Sequence, residues 1–330
     1  MTIPCPRSVP NSNGASKRRA PCPSTTSSRP TEPPELELEL PVEARTTAQD
    51  APALQHSDER RLATLGDLFD LRGRGVAVTG GGSGLGLRMG TVLARAGAEV
   101  TLIDRDQASL AAAQTALAAD GLAVSVRIVD ITDFDQVDAA FQQIAAESGL
   151  DVVFANAGIS AGIGPRLKSG RITDLDQQRW REVLDVNLTG AAFTMSAAAR
   201  HIRDGAGRII VTSSLGGVRA DPMVGYAYAA TKAGVVALVR NAALELAHRG
   251  INVNALAPGL FETNIRKANP VAEAMTGDFR KISALGRGGD LSELEGLVVY
   301  LASKASSYMT GAVLNLDGGG QHVGPNQVEV

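Results

Sequence analysis

Short apolar runs recur along the chain from about Thr64, and Ala-rich stretches with helical spacing separate them. The runs "GVAVT" (75–79), "EVTLI" (99–103), "AVSVRIV" (123–129), "DVVFA" (151–155), "RIIVTS" (208–213), "INVNAL" (251–256) and "AVLNL" (312–316) are rich in β-branched residues. Each is apolar on both faces, which predicts strands covered by helices on both sides. Between them, 84–97, 106–119, 133–147, 174–203, 226–248 and 291–303 carry helical patterns. Repeated strand–helix alternation predicts an open, doubly wound α/β fold on a parallel sheet. No second break in texture interrupts 64–330, so that stretch is expected to be a single domain.

Residues 1–63 have a different character. "PCPRSVPNSNGASKRRAPCPSTTSSRPTEPP" is rich in Pro and Ser and nearly free of large apolar residues. It cannot bury enough surface to offset the entropy of ordering, and it reads as a disordered extension. Its charge is polarised, basic up to Pro30 and acidic through "EPPELELEL". It lacks the apolar centre of a secretory signal, and its prolines work against the amphipathic helix of an organellar transit peptide.

Composition narrows the function further. The formal net charge of -3 argues against a nucleic-acid or anionic-membrane surface. No apolar run is long enough to span a bilayer. Cys5 and Cys22 both lie in the extension, leaving the body of the chain without a thiol nucleophile, a redox pair or a disulfide framework. A reducing cytoplasm is the expected compartment. His56, His201, His248 and His322 show no metal-ligand spacing.

The first strand runs into "TGGGSGLG" (79–86) and then a helix. Glycines alone would serve any tight strand-to-helix turn, but this context is the one a dinucleotide loop needs. Gly80 permits the turn, Gly84 lets backbone approach a pyrophosphate, and Gly86 lets the helix pack on the sheet. The helix N-terminus offers free N–H groups and partial positive charge. Asp104 ends the second strand, where a carboxylate accepts hydrogen bonds from the adenosine ribose and repels a 2′-phosphate. NAD is therefore expected over NADP, although Arg105 beside it could hold a phosphate.

"YAYAATKAG" (226–234) offers two tyrosines and one lysine. Positions i and i+4 share a helix face, so Tyr228 meets Lys232 while Tyr226 meets Ala230. A phenol with a pKa of about 10 is protonated at neutral pH, and a nearby ammonium favours its phenolate. Tyr228 could then exchange a proton with an alcohol or ketone as a hydride moves. A serine from "VTSSLGG" could bind the developing charge on oxygen.

In this order "TGGGSGLG", "NAG" (156–158), "VN" (186–187), "SS" (213–214), "YAATK" (228–232), "APG" (257–259) and "DGG" (317–319) resemble the motifs of the short-chain dehydrogenase/reductases. The resemblance spans about residues 68–320. It implies a Rossmann-type sheet of seven strands in the order 3-2-1-4-5-6-7, and hydride transfer between NAD(P) and a carbonyl or hydroxyl group. It gives Gly80, Ser83, Gly84, Leu85 and Gly86 to the cofactor, and Ser83 stands where NADP-dependent members often carry Arg or Lys. It makes Asp130 and Ile131 adenine contacts, has Asn156 line the cofactor, and sets Phe261 and Thr263 at the carboxamide. It makes Asn187 the holder of a helix kink and a proton-relay water, Ser214 the residue that orients the substrate oxygen, and Tyr228 the acid/base. Lys232 would bind the nicotinamide ribose and lower the tyrosine pKa. The stretch from Ser214 to Tyr228 is one residue longer than is common, which leaves Ser213 as the alternative; the adjoining "LGG" favours Ser214.

The loops 160–172, 215–226 and 264–289 are expected to wall a small alcohol or ketone substrate, the last as a mobile lid. Arg166, Lys168, Arg171, Arg266 and Lys267 tilt them positive, which suggests an acidic substrate, set against the ordinary tendency of solvated loops to collect charge. "LFDLRG" (68–73) and "APGLFET" resemble gluconate 5-dehydrogenase-type enzymes about as much as 3-oxoacyl reductases. Trp180 and the aliphatic stripes of 174–203 and 226–248 read as core and helix contacts; in the family these two helices form a dimer interface, and a homotetramer or homodimer is implied. The alternative is a catalytically silent dinucleotide-binding or scaffold protein, which would not need Asn187, Ser214, Tyr228 and Lys232 together.

Overall fold

The computed structural model describes residues 64–261 and 283–323. Seven parallel strands form one sheet in the order β3-β2-β1-β4-β5-β6-β7. They are β1 (Gly75–Thr79), β2 (Glu99–Asp104), β3 (Ser125–Ile128), β4 (Val152–Ala155), β5 (Arg208–Thr212), β6 (Asn252–Pro258) and β7 (Val313–Leu316). This is the Rossmann-type order that the motifs imply.

The central strands are apolar on both faces because each face meets a helical layer. Successive residues of a strand point to opposite sides. Ala77, Val153 and Ile209 enter one core, which they share with α4 (Phe134–Glu147), α6 (Ala191–His201) and α8 (Tyr226–Leu246). Val76, Val152, Phe154 and Ile210 enter the other, with α2 (Gly84–Arg95), α3 (Gln107–Ala119) and α9 (Glu295–Ala302). The two outermost strands depart from the expectation. No residue of β3 or β7 is fully buried, and Ile128 is 55% exposed. A strand at the end of a sheet has a neighbour on one side only, so helices cover it less completely.

Helix boundaries follow local chemistry. A five-residue helix α1 (Leu65–Phe69) begins with a capping box between Thr64 and Asp67. Asp106, Asp133 and Asp176 cap α3, α4 and α5 (Gln177–Leu184) by accepting backbone N–H groups. α8 passes into a short 3-10 turn and stops at Gly250, whose φ of 66° a side chain would resist.

The helix expected over 174–203 is not continuous. α5 gives way to a π-helical turn at Asp185–Gly190 before α6 resumes. The wider turn carries Asn187 inward, where it is completely buried. Gly190 closes the turn against Ile131, with room for no Cβ: one placed there would lie 2.6 Å from the Ile131 Cδ1. "LGGV" forms an additional short helix, α7 (Leu215–Val218).

Candidate active site

The strand order reverses between β1 and β4, and a crevice opens there beyond the carboxyl ends of the strands. A cavity of about 790 Å³ lies along it. Its walls come from the ends of β1, β2, β4, β5 and β6 and from the loop after β3, so residues far apart in sequence converge.

At one end stands the glycine loop. Gly80 and Gly84 have φ of 66° and 55°, a region open to glycine and costly for other residues. A Cβ at Gly86 would drive into the Gly80 carbonyl oxygen, so the third glycine is required by close packing of α2 on β1. Ser83 precedes α2 without capping it through its side chain, and the first turn holds no acid. The N–H groups of that turn therefore face the cavity as an anion site. The Asp104 carboxylate accepts the Gly82 N–H at 3.1 Å and the Asp106 N–H at 3.2 Å, tying the loop to β2. Asp104, Arg105, Asp130 and Ile131 line the same end, and Asp130 is held by both the N–H and the hydroxyl of Thr132. An N–H cradle with a carboxylate in the same cavity wall has the chemistry to hold a dinucleotide.

Asn156 lines the middle but acts as a strut. Its backbone N–H donates to Thr79 Oγ1 at 3.0 Å, its Nδ2 donates to the Thr79 carbonyl at 3.2 Å, and its Oδ1 accepts from Thr212 Oγ1 at 3.1 Å. Both threonines lie within sequence motifs, Thr79 opening "TGGGSGLG" and Thr212 in "VTSSLGG", but the contact joining β1, β4 and β5 comes from three distant segments.

The reactive end is built on β5 and α8. Lys232 is buried, and its Nζ donates to the Thr212 carbonyl at 2.7 Å while standing 5.8 Å from the centroid of the Tyr228 ring. The Ser214 hydroxyl lies near enough to the Tyr228 phenol to favour its ionisation, and its Oγ accepts the Gly216 N–H at 3.2 Å. Ser213 does something else: its buried hydroxyl donates to the Lys232 carbonyl at 2.8 Å. Of the two serines, only Ser214 lines the cavity. Asn187 clamps Ile159, accepting its N–H at 2.7 Å and donating to its carbonyl at 2.8 Å. Gly158 passes between Asn187 and Lys232; a Cβ there would lie 3.2 Å from Asn187 Oδ1 and 3.5 Å from Lys232 Nζ.

The electrostatics differ from the simple pairing. Burial pushes the Tyr228 phenol above its ordinary value; the nearby Ser214 hydroxyl opposes this and the Asp221 charge adds to it. Burial also disfavours the Lys232 ammonium, lowering its pKa to about 8, and its Nζ donates to the Thr212 carbonyl.

The remaining expected positions fall in different places. Phe261 is buried in the core with its ring against Gly289, and it is Pro258, Gly259 and Leu260 that line the cavity. Thr263, Arg266, Lys267 and most of the expected lid lie outside the described residues, as does the N-terminal extension. Arg166, Lys168 and Arg171 do not line the cavity, whereas Asp221 does. Tyr226 sits on the outer face of α8, 37% exposed.

The model of the enoyl-(acyl carrier protein) reductase group matches residues 80–321, which include the loop, the tyrosine–lysine pair and all the strands but β1. The chain belongs to the short-chain dehydrogenase/reductase family. It is 35% identical over 255 residues to gluconate 5-dehydrogenase of Gluconobacter oxydans (strain 621H), covering 77% of this chain and 96% of that one. It is 37% identical over 255 residues to the L-tagatose-forming galactitol 2-dehydrogenase of Cereibacter sphaeroides, covering 76% and 96%. Its fold superposes with a TM-score of 0.70 and 32% identity on a gluconate 5-dehydrogenase from Burkholderia cenocepacia J2315 crystallised with NADP and tartrate, covering 79% of this chain and 100% of that one. Like other short-chain dehydrogenase/reductases, the protein is an oxidoreductase that uses a nicotinamide dinucleotide. Among the described residues no helix is long and apolar enough to cross a membrane.

Proposed function

We propose that the protein interconverts a small secondary alcohol and its ketone with NAD as the preferred dinucleotide, and that Tyr228 is the acid/base. The observation that carries this reading is the meeting of Tyr228, Ser214 and Lys232 at one end of a cavity whose other end is the N–H cradle of α2.

The bound dinucleotide supplies the hydride acceptor or donor. The chain's own residues handle the proton and the charge. In the oxidative direction the alcohol carbon loses a hydride, and its hydroxyl proton passes to the oxygen of Tyr228 ionised as phenolate, the form that the Lys232 charge favours. In the reductive direction Tyr228 returns that proton to the carbonyl oxygen. Ser214 holds the substrate oxygen against the phenol, so that a donor is in place where charge develops. Lys232 adds positive charge beneath the ring and reaches for the nicotinamide ribose. Asn187 holds the Ile159 backbone at the cavity wall. Gly80, Ser83, Gly84, Leu85 and Gly86 hold the pyrophosphate; Asp104 takes the ribose hydroxyls, and Asp130, Ile131 and Asn156 complete the cofactor wall.

Support for NAD is the Asp104 carboxylate, which would repel a 2′-phosphate. Arg105 lines the same end and is the residue that would accept one. The similarity to gluconate 5-dehydrogenase suggests a sugar-acid substrate, with a 3-oxoacyl substrate as the second reading. A cytoplasmic homodimer or homotetramer of a 64–330 domain completes the proposal.

Tyr228→Phe tests the reading. Turnover with a panel of alcohols and ketones should fall by about three orders of magnitude or more, while NADH affinity, followed by nicotinamide fluorescence, stays near wild type. Unchanged turnover would remove Tyr228 from the chemistry.

A further inference from the structure

Asp221 lines the substrate end of the cavity with Ser214, Tyr228, Met223 and Val224. Local structure fixes it. One carboxylate oxygen, Oδ1, accepts the Met223 N–H at 2.9 Å, and the Asp221 carbonyl accepts the Val224 N–H at 3.3 Å. The turn leads straight into a ladder with the loop after β4: Val224 bridges Ile163, and the N–H groups of Gly164 and Arg166 donate to the carbonyls of Met223 and Pro222. The carboxylate is therefore presented by a two-stranded wall. Among the described residues Asp221 forms no ion pair, and its second oxygen, Oδ2, has no hydrogen-bond partner. Its charge is near enough to the Tyr228 phenol to oppose ionisation.

An unpaired carboxylate oxygen in the same cavity wall as the acid/base needs a donor when substrate expels water. A hydroxyl supplies one, and hydrogen bonds to charged groups are the stronger kind. A methylene chain supplies none and leaves the charge desolvated, and a site built to bond a hydroxyl discriminates strongly against an analogue lacking it.

We propose that Asp221 is a specificity-determining residue whose second carboxylate oxygen accepts a hydrogen bond from a substrate hydroxyl next to the reacting carbon, so that the site selects polyhydroxylated, sugar-like alcohols over 3-hydroxyacyl chains. The inference deepens the reading of Tyr228 as acid/base and rests on it for where the reacting carbon lies. It places any substrate carboxylate away from Asp221, where like charges would otherwise meet.

Asp221→Asn is the discriminating variant. An asparagine keeps one side-chain oxygen for the Met223 N–H, so the turn survives, and it replaces the free acceptor with a donor. Binding is measured by calorimetry on protein loaded with NADH, on which alcohols cannot react, so the result does not depend on turnover. The probes are galactitol and the N-acetylcysteamine thioester of 3-hydroxybutyrate. Wild-type protein should bind galactitol more tightly than the thioester. Asp221→Asn should weaken galactitol by about tenfold or more and leave the thioester within about twofold. Galactitol affinity unchanged in the variant, or thioester binding tighter than galactitol in wild type, overturns the proposal. Failure of Tyr228→Phe to lose turnover while galactitol still depends on Asp221 would refute the acid/base reading alone.

Discussion

Lys232 should make the protein less stable at neutral pH than it would be with an apolar residue of the same shape. Its side chain is buried, and burial lowers its pKa from 10.5 to about 8. Between pH 8 and pH 10.5 the unfolded chain keeps a proton that the folded protein has released. Unfolding then takes up a proton, so stability rises with pH across that window and is flat on either side. Each pKa unit is worth about 1.4 kcal/mol, so the buried charge costs about 3 kcal/mol below pH 8. Lys232→Met removes the charge with little change of shape. The variant should be more stable relative to wild type at pH 7 than at pH 10, with the gap narrowing by about 2–3 kcal/mol across the window. Losing the hydrogen bond from Nζ to the Thr212 carbonyl sets the absolute size of the gap, and only the buried charge gives it this slope. Urea unfolding of both proteins at matched concentration, stepped from pH 7 to pH 10.5, measures it, and other titrating groups cancel in the difference. Parallel stability curves would refute the argument. Turnover of Lys232→Met should be lost at every pH, which would show that the ammonium is kept for the site and not for the fold.

The adjacent serines should separate cleanly. Ser214→Ala should lower turnover by about 10²–10³ while leaving most of the stability, because it removes a donor from the reacting oxygen. Ser213→Ala should cost about 0.5–1.5 kcal/mol in a melt, by removing the buried hydroxyl's bond to the Lys232 carbonyl, which keeps its partner within α8, and should spare turnover; the opposite pattern would exchange their roles. Asp104→Asn keeps an acceptor for the Gly82 N–H but drops the charge that repels a 2′-phosphate. Its preference for NADH over NADPH should relax by about tenfold in fluorescence titrations, and an unchanged ratio would place the discrimination elsewhere.

What local pattern determines was legible in the sequence. Continuous apolar runs marked the strands because a strand covered on both sides buries residues on both its faces, as the centres of β1, β4 and β5 show. The glycine loop was readable because backbone conformation and close packing demand glycine at Gly80, Gly84 and Gly86 whatever lies elsewhere. The pairing of Tyr228 with Lys232 followed from the pitch of one helix.

What needed the tertiary structure was every relation between distant segments. Side chains from β1, β4 and β5 meet at Asn156 across some 77 and 56 positions, and no periodicity encodes such a meeting. The direction of Lys232 Nζ depends on the Thr212 carbonyl, which a neighbouring strand end brings to it. Phe261 follows the cavity-lining stretch Pro258–Leu260 in sequence, yet Gly289 offers its ring a place in the core. Asp221 lies in the loop 215–226 that the sequence placed at the cavity wall, but nothing local singles it out, and the ladder with the loop after β4 is what fixes it as a charged part of that wall. Local sequence sets backbone conformation through sterics and hydrogen bonding within a few residues. Burial and charge, which decide what a side chain can do, depend on everything that packs around it.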